Sequence, residues 1–240
     1  MLTMSVVQDS NEAGRLHLNA HAFRAAGRIG ASVIDISAYL TPEREKVEAF
    51  IRDIYGKAYH ADIGIHYPTL MSVRTESGQI LAATGFRYAV EEPLFLEQYL
   101  GQPVEQRLTR QYGQTIPRTA IVEIGNLASS GGGASVYLFA ALSAYLYTRG
   151  IRYATITGTH TLRDRLQKLG LGPQELCAAD PLLLPEAERE CWGSYYEQRP
   201  QVLSGSVAEG MHHLRHALGI LYEEQTVPPM VPRLHYRKSE

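Results

Sequence analysis

The chain has 240 residues, 45% of them hydrophobic and 20% charged, with a formal net charge of −2. That composition holds enough apolar surface for a core, which excludes wholesale disorder, and its near-neutral balance gives no electrostatic case for binding nucleic acid. The longest apolar-rich run, residues 136–147, falls far short of the roughly 20 residues that cross a bilayer. The opening MLTMSVVQDSNEAG lacks a basic start followed by an apolar stretch, so it does not read as a secretory signal. Cys177 and Cys191 fit a reducing cytoplasm better than a stapled secreted fold, although one bridge between them stays open.

In chain order, residues 1–30 read as a leader, whose 15–28 stretch is either a short helix or, the favoured reading, a loosely docked surface segment. Residues 31–38 alternate apolar and polar positions and predict a first strand. Thr41, Pro42 and the glutamates at 43 and 45 predict a helix start, with Thr41 capping, and apolar spacing carries the helix to about Tyr55. Residues 69–75 and 79–88 predict a hairpin that turns at Gly78. Residues 93–112 predict helix in two pieces, split at 101–103. TAIVEIGNL, residues 119–127, is the central strand, and residues 135–148 a helix apolar nearly all round. Strand 152–157 and helix 162–169 follow, then short strands or turns near 182–184 and 201–203, and an amphipathic helix over 206–223. The order predicts a mixed α/β fold with a parallel crossover from strand 119–127 to strand 152–157. It divides into a leader (1–30), a main domain (31–205), and a C-terminal helix with an irregular tail (206–240).

The chemistry concentrates in VEIGNLASSGGGAS, residues 122–135. A strand runs into a glycine-rich loop that opens a helix. The free amides at a helix start attract anions, and glycines let an anion approach closely. The loop lacks both the dinucleotide fingerprint and a phosphate-loop lysine, so nucleotide hydrolysis is disfavoured. Glu123 lies in an otherwise apolar strand and shares a face with Gly125. A carboxylate there is costly unless paired or useful, and its two readings are a proton acceptor or an ion pair with Arg87 or Arg118. Glu97 sits among apolar neighbours as a substrate contact or a paired surface group. Arg87 is placed to hold a carboxylate. His212, His213 and His216 read as a solvated helix face, and no metal set is present.

Four blocks carry a resemblance to a known family: ATGFRYA (83–89), LFLEQYL (94–100), VEIGNLAS (122–129) and WGSYYEQRPQV (192–202). In this order they resemble the signature blocks of the thermostable hemolysin family over about residues 50–210. The resemblance implies a fold similar to GCN5-related N-acyltransferases and to acyl-homoserine-lactone synthases, a mixed central sheet flanked by helices. It implies that residues 126–135 (Asn126, Leu127, Ala128, Ser129, Ser130, Gly131, Gly132, Gly133, Ala134 and Ser135) hold the pyrophosphate or phosphopantetheine of acyl-CoA or an acyl-carrier protein. Lactone synthases resemble this block with Glu-x-Ser-Arg, whereas Glu123-Ile124-Gly125-Asn126 stands here without the arginine. The implied activity is therefore acyl transfer in general.

On this reading an acyl thioester is the donor substrate, no cofactor is permanently bound, and a small-molecule or amino acid amine is the acceptor. Glu123 takes the amine proton, and Tyr195 or Tyr196 protonates the leaving thiolate. Arg87 and Glu97 contact substrate, and an amide near 126–128 polarises the carbonyl. A cytoplasmic location is expected, and a homodimer stays open. Two rivals stand beside it. One is a membrane-active protein inserting through its N-terminal segment or helix 206–223. The other is a module that binds an acyl thioester or carrier protein without chemistry.

Overall fold

A computed structural model describes residues 1–9, 11–19, 30–38 and 41–224. The chain begins with strands β1 (Leu2–Gln8), β2 (Asn11–Leu18) and β3 (Ala31–Ser37), then helix α1 (Pro42–Tyr59) and the hairpin β4 (Thr69–Thr75) and β5 (Ile80–Tyr88). Two short helices follow, α2 (Glu97–Leu100) and α3 (Val104–Tyr112), and then β6 (Ile121–Ser129), α4 (Ala134–Thr148), β7 (Tyr153–Gly158) and α5 (His160–Lys168). The chain continues through β8 (Gln174–Ala178), α6 (Glu186–Cys191), β9 (Gln201–Ser206), α7 (Val207–Leu218) and β10 (Leu221–Glu224). Among the described residues ten strands form one mixed sheet, ordered β10-β2-β1-β3-β4-β5-β6-β7-β9-β8. The expected crossover is present: β6 and β7 pair in parallel with α4 between them.

The sheet is covered on both faces. On one side α4, buried along nearly its whole length, packs with α7 over Val122, Ile124 and Leu203. On the other, α1 lays Val47, Ile51 and Tyr55 against Tyr67, Leu70, Ala83 and Ala128. A third cluster of Leu96, Val104, Leu108, Ile121 and Val202 seats α2 and α3. Helix α1 starts at Pro42 with Glu43 and Glu45 in its first turn, as expected. Thr41 does not cap it: the hydroxyl donates to the Ala38 carbonyl instead.

The largest departure from expectation is the N-terminal segment. Residues 1–9 and 11–19 are not a loosely docked leader but contribute β1 and β2 to the sheet. Residues 15–18 of the 15–28 segment end β2, and residues 20–28 lie outside the described residues. The physical reason is a period of two. Met4 and Val6 on β1, and Leu16 and Leu18 on β2, point inward and join the α4 core. The C-terminal helix is also shorter than its apolar spacing suggested. Ser206 caps it by accepting from the Glu209 amide, and Gly219 closes it with a left-handed φ of 61°. Residues 221–224 then pair antiparallel with β2. The tail beyond 224 lies outside the described residues. Residues 181–183 form a 3₁₀ turn, one of the two expected alternatives there.

Because Leu16 is fully buried, Leu16→Ala should lower the unfolding free energy by about 3 kcal/mol in urea denaturation. A loosely docked leader would show no change.

Candidate active site

Strand β6 is paired with β7 only from Ile121 to Ile124, although both strands run on. On its other side the register with β5 slips. Gly125 opposes Gly85 and Ala128 opposes Ala83, so Asn126 and Leu127 face the single residue Thr84. This is a β-bulge, and Asn126 takes the left-handed φ of 51° that it requires. Thr84 donates its hydroxyl to the Gly125 carbonyl and pins the bulge. Asn126 and Leu127 are therefore left without ladder partners on either side. Strict alternation would have put Asn126 with Val122 against α4. The bulge brings it instead to a cavity on the opposite side of the split.

Gly85 and Gly125 lie side by side across β5 and β6. The ring of Tyr67 lies over both, its Cβ end on Gly85 and its hydroxyl on Gly125, so that a methyl group at either glycine would collide with it. The Tyr67 hydroxyl lies beside the Glu123 carboxylate, whose charge adds to burial in raising the phenol's pKa. Glu123 is 1% exposed, and its carboxylate oxygens accept from the Phe95 amide at 2.9 Å and the Leu96 amide at 2.9 Å. Arg87 brings its Nε to 3.4 Å from the same carboxylate and stacks its guanidinium over Tyr67. Burial nevertheless dominates. It raises the Glu123 pKa from the usual 4.5 to about 7, against the lowering pull of Arg87 and the two amides.

Those amides are held in place by a second carboxylate. Glu97 accepts from the Leu94 and Val104 amides, both at 2.8 Å, and pairs with Arg118 at 2.6 Å. Arg118 also binds Glu105 and the carbonyls of Ala89 and Glu92. Glu97 is thus not brought to the cavity that Arg87 and Asn126 line. It faces an open groove on the other side of the 89–97 loop, and hydrogen bonding to Arg118 holds its pKa low despite the opposing effect of burial. Its role is to fix the turn that feeds amides to Glu123.

The cavity has a volume of about 340 Å³. Its walls are largely aromatic: Tyr55, Tyr67, Phe95, Tyr99, Trp192, Tyr195 and Tyr196. Arg87, Asn126 and Thr157 line it; Asn126 Nδ2 and Thr157 Oγ1 are buried without a hydrogen-bond partner, and Arg87 Nε has the Glu123 carboxylate at 3.4 Å. Tyr195 donates to the Thr157 carbonyl at 3.3 Å, and Tyr196 shares a hydrogen bond with Tyr99 at 2.5 Å. Burial pushes the Tyr195 pKa far up and the Tyr196 pKa to about 12, so both are neutral hydrogen-bond donors near pH 7. A second cleft of about 310 Å³ shares Tyr55, Gly125, Thr157 and Tyr195 with the first, and so meets it at the strand split. Leu127, Ser129, Ser135 and the exposed cation Arg165 line the second cleft.

The glycine loop leads from that cleft into α4. Gly131, Gly132 and Gly133 all take positive φ, which only glycine adopts freely in succession. Ser130 is tied to the Leu81 carbonyl, and the Ala134 amide closes back on Gly131. Ala128 and Ala134 are buried packing residues. Sequence reading missed Tyr67, Thr157 and Arg165. The signal for Tyr67 was the pair of interior strand glycines, which mark close approach of another group. The two thiols are free, Cys191 exposed on α6 and Cys177 half-buried.

Residues 38–211 match the sequence profile of the family described as thermostable hemolysin, and the chain belongs to that family. No curated protein sequence matches it. Among solved structures the fold is similar to the AHL synthase LasI, at 12% identity over 78% of this chain and 96% of that one, with a TM-score of 0.53. It is also similar to FeeM, an N-acyl amino acid synthase from uncultured soil microbes, at 15% identity over 76% and 99% of the two chains and a TM-score of 0.51. A third neighbour, TofI in an apo form, gives 11% identity, coverage of 75% and 95%, and a TM-score of 0.51. The expected fold is therefore present, a mixed sheet of N-acyltransferase type flanked by helices. Among the described residues no helix is long and apolar enough to cross a membrane.

Two measurements check this geometry. Glu97→Ala strands two amides and a guanidinium, and should cost about 3 kcal/mol of unfolding free energy in urea. Glu123 holds its proton more tightly folded than unfolded, so the folded chain carries the extra proton between pH 4.5 and about 7. Stability should therefore fall as pH rises through that window, by roughly 3 kcal/mol relative to Glu123→Gln, when unfolding is followed against pH.

Proposed function

We propose that the protein is an N-acyltransferase that moves an acyl group from a thioester, on CoA or an acyl-carrier protein, to the amine of a small molecule or amino acid derivative. The observation that carries this reading is the meeting of two cavities at the split between β6 and β7, beside a buried carboxylate poised near neutral pH. The fold likeness to two synthases of acylated amines supports it.

In this reading the donor lies in the second cleft. Its pantetheine arm runs along the unpaired main chain of Asn126 and Leu127, and its phosphates sit at the Gly131–Gly133 turn near Arg165. An apolar cavity of about 80 Å³, lined by Leu142, Leu146, Leu166 and Leu203 and touching the split at Ile124 and Ile156, takes the acyl chain. The amine enters the aromatic cavity, where the Arg87 guanidinium on the wall suits a carboxylate on the acceptor. Main-chain donors at 126–128 polarise the thioester carbonyl. Glu123 accepts the amine proton, since a base near pH 7 combines availability with driving force. Tyr195, on the wall common to both cavities, is the better placed of the two tyrosines for the leaving thiolate. The hydroxyl of Tyr196 is engaged with Tyr99.

The test is thiol release by the purified protein across a panel of acyl-CoA donors and amines. Turnover is expected, with kcat/KM falling on the acid side at an apparent pKa of about 7. Glu123→Gln should lower kcat by roughly 10²–10⁴. Arg165→Ala should raise KM for the CoA donor roughly tenfold at unchanged kcat, as loss of a phosphate contact does. Donor binding without thiol release would leave a binding module, and absence of donor binding would end the acyltransferase reading.

A further inference from the structure

Glu123 is sealed from the aromatic cavity. It is absent from the cavity's walls, and amides from Phe95 and Leu96 occupy its two oxygens. Tyr67 lines the cavity with its hydroxyl beside the Glu123 carboxylate, and Arg87 touches both groups. Its hydroxyl sits over Gly125, at the point where the two cavities join. We propose that Tyr67 is the catalytic residue that meets the acceptor amine, relaying the proton to Glu123, which acts behind it as a positioning residue and final proton acceptor.

This rests on the acyl-transfer reading and deepens it. The amine nitrogen forms a bond to the thioester carbon as the carbonyl electrons move onto oxygen. The nitrogen proton passes to the Tyr67 oxygen while the Tyr67 hydrogen passes to Glu123, so tyrosinate never accumulates. The carbonyl re-forms, the C–S bond breaks, and the thiolate takes up one proton in place of the one that the amine gave up. The products are an amide and a free thiol, with Glu123 discharged to solvent before the next turnover.

Geometry favours the relay over direct contact. The slot made by Gly85 and Gly125 fixes the ring, and Arg87 on its face fixes it from above at 4.5 Å. A phenol held in place beside a carboxylate is a preorganised proton path. The charged and titratable groups facing the pair are Arg87 from β5, Glu97 from α2, Tyr55 from α1, and Tyr195 from the turn after α6. Arg87 also approaches Glu92 of the 89–97 loop, and His66 lies beside Tyr67 at the cavity wall.

The experiment compares wild type, Tyr67→Phe, Glu123→Gln and the double variant by thiol release, with acyl-CoA binding by calorimetry as the check on folding. Tyr67→Phe keeps the ring that fills the slot. It should lower kcat roughly 100-fold with donor affinity unchanged, and abolish the acid limb near pH 7. The double variant should be no slower than the worse single variant, because both substitutions break one path. Infrared titration gives a second readout independent of turnover. The Glu123 carboxyl band, assigned by its loss in Glu123→Gln, should titrate at a different pH in Tyr67→Phe. An active wild type with Tyr67→Phe at near-normal kcat, or with losses that multiply in the double variant, overturns the relay. A wild type that binds donor yet releases no thiol with any amine overturns the acyl-transfer reading itself, and the two failures are thereby told apart.

Discussion

Hydrogen bonding between β6 and β7 ends at Ile124, and the bulge at Asn126 removes the next two residues from the β5 ladder as well. Two consecutive residues in the middle of a ten-stranded sheet are thus left with main-chain groups that another molecule can satisfy. The same separation opens space on both sides of Gly125, which is why two cavities share a wall there. Thr84 holds the carbonyl of Gly125, so the opening is built into the sheet rather than left to chance. The aromatic walls, the buried carboxylate and the glycine turn are all arranged around this one interruption of pairing.

The buried charge illustrates how tightly that arrangement is drawn. An isolated carboxylate at 1% exposure is expensive, and Glu123 is offset by two amides and a guanidinium that is itself short of ideal contact at 3.4 Å. The compensation is incomplete, and that incompleteness leaves the group able to change protonation near neutral pH. Its amide donors come from a turn that Glu97 and Arg118 clamp from the outer side. One ion pair with no access to the cavity therefore sets the electrostatics of another group on the far side of the loop.

Much of this was legible in the sequence. Periodicity gave α1, the β4–β5 hairpin, β6, α4, β7 and α5 with small boundary errors, because each buries one clear face or is buried throughout. Glu123 announced itself as a charge in an apolar strand, and Arg87 as its partner. The N-terminal strands were not recognised. Gly14 and polar alternates dilute their pattern, and half of it becomes meaningful only against α4. Simple alternation cannot place Asn126, because a bulge breaks the two-residue period without a local signal beyond an asparagine able to take positive φ. Glu97 looked like a substrate contact until its amide partners, seven residues apart in sequence or closer, were seen around it. Tyr67 lay in a stretch read as loop, and only the paired glycines of β5 and β6 pointed toward it.

β10, at residues 221–224, pairs with β2, at residues 11–18, along one edge of the sheet. That edge is a seam between segments separated by some two hundred positions, so it closes only after the intervening chain has been synthesised and packed. A growing polypeptide must hold its first two strands unsealed through most of translation. Their inward Met4, Val6, Leu16 and Leu18 also wait for α4 before they have a partner layer. The early segment is thus open to mispairing during biogenesis, and its protection depends on β10, a strand that follows it by some two hundred positions.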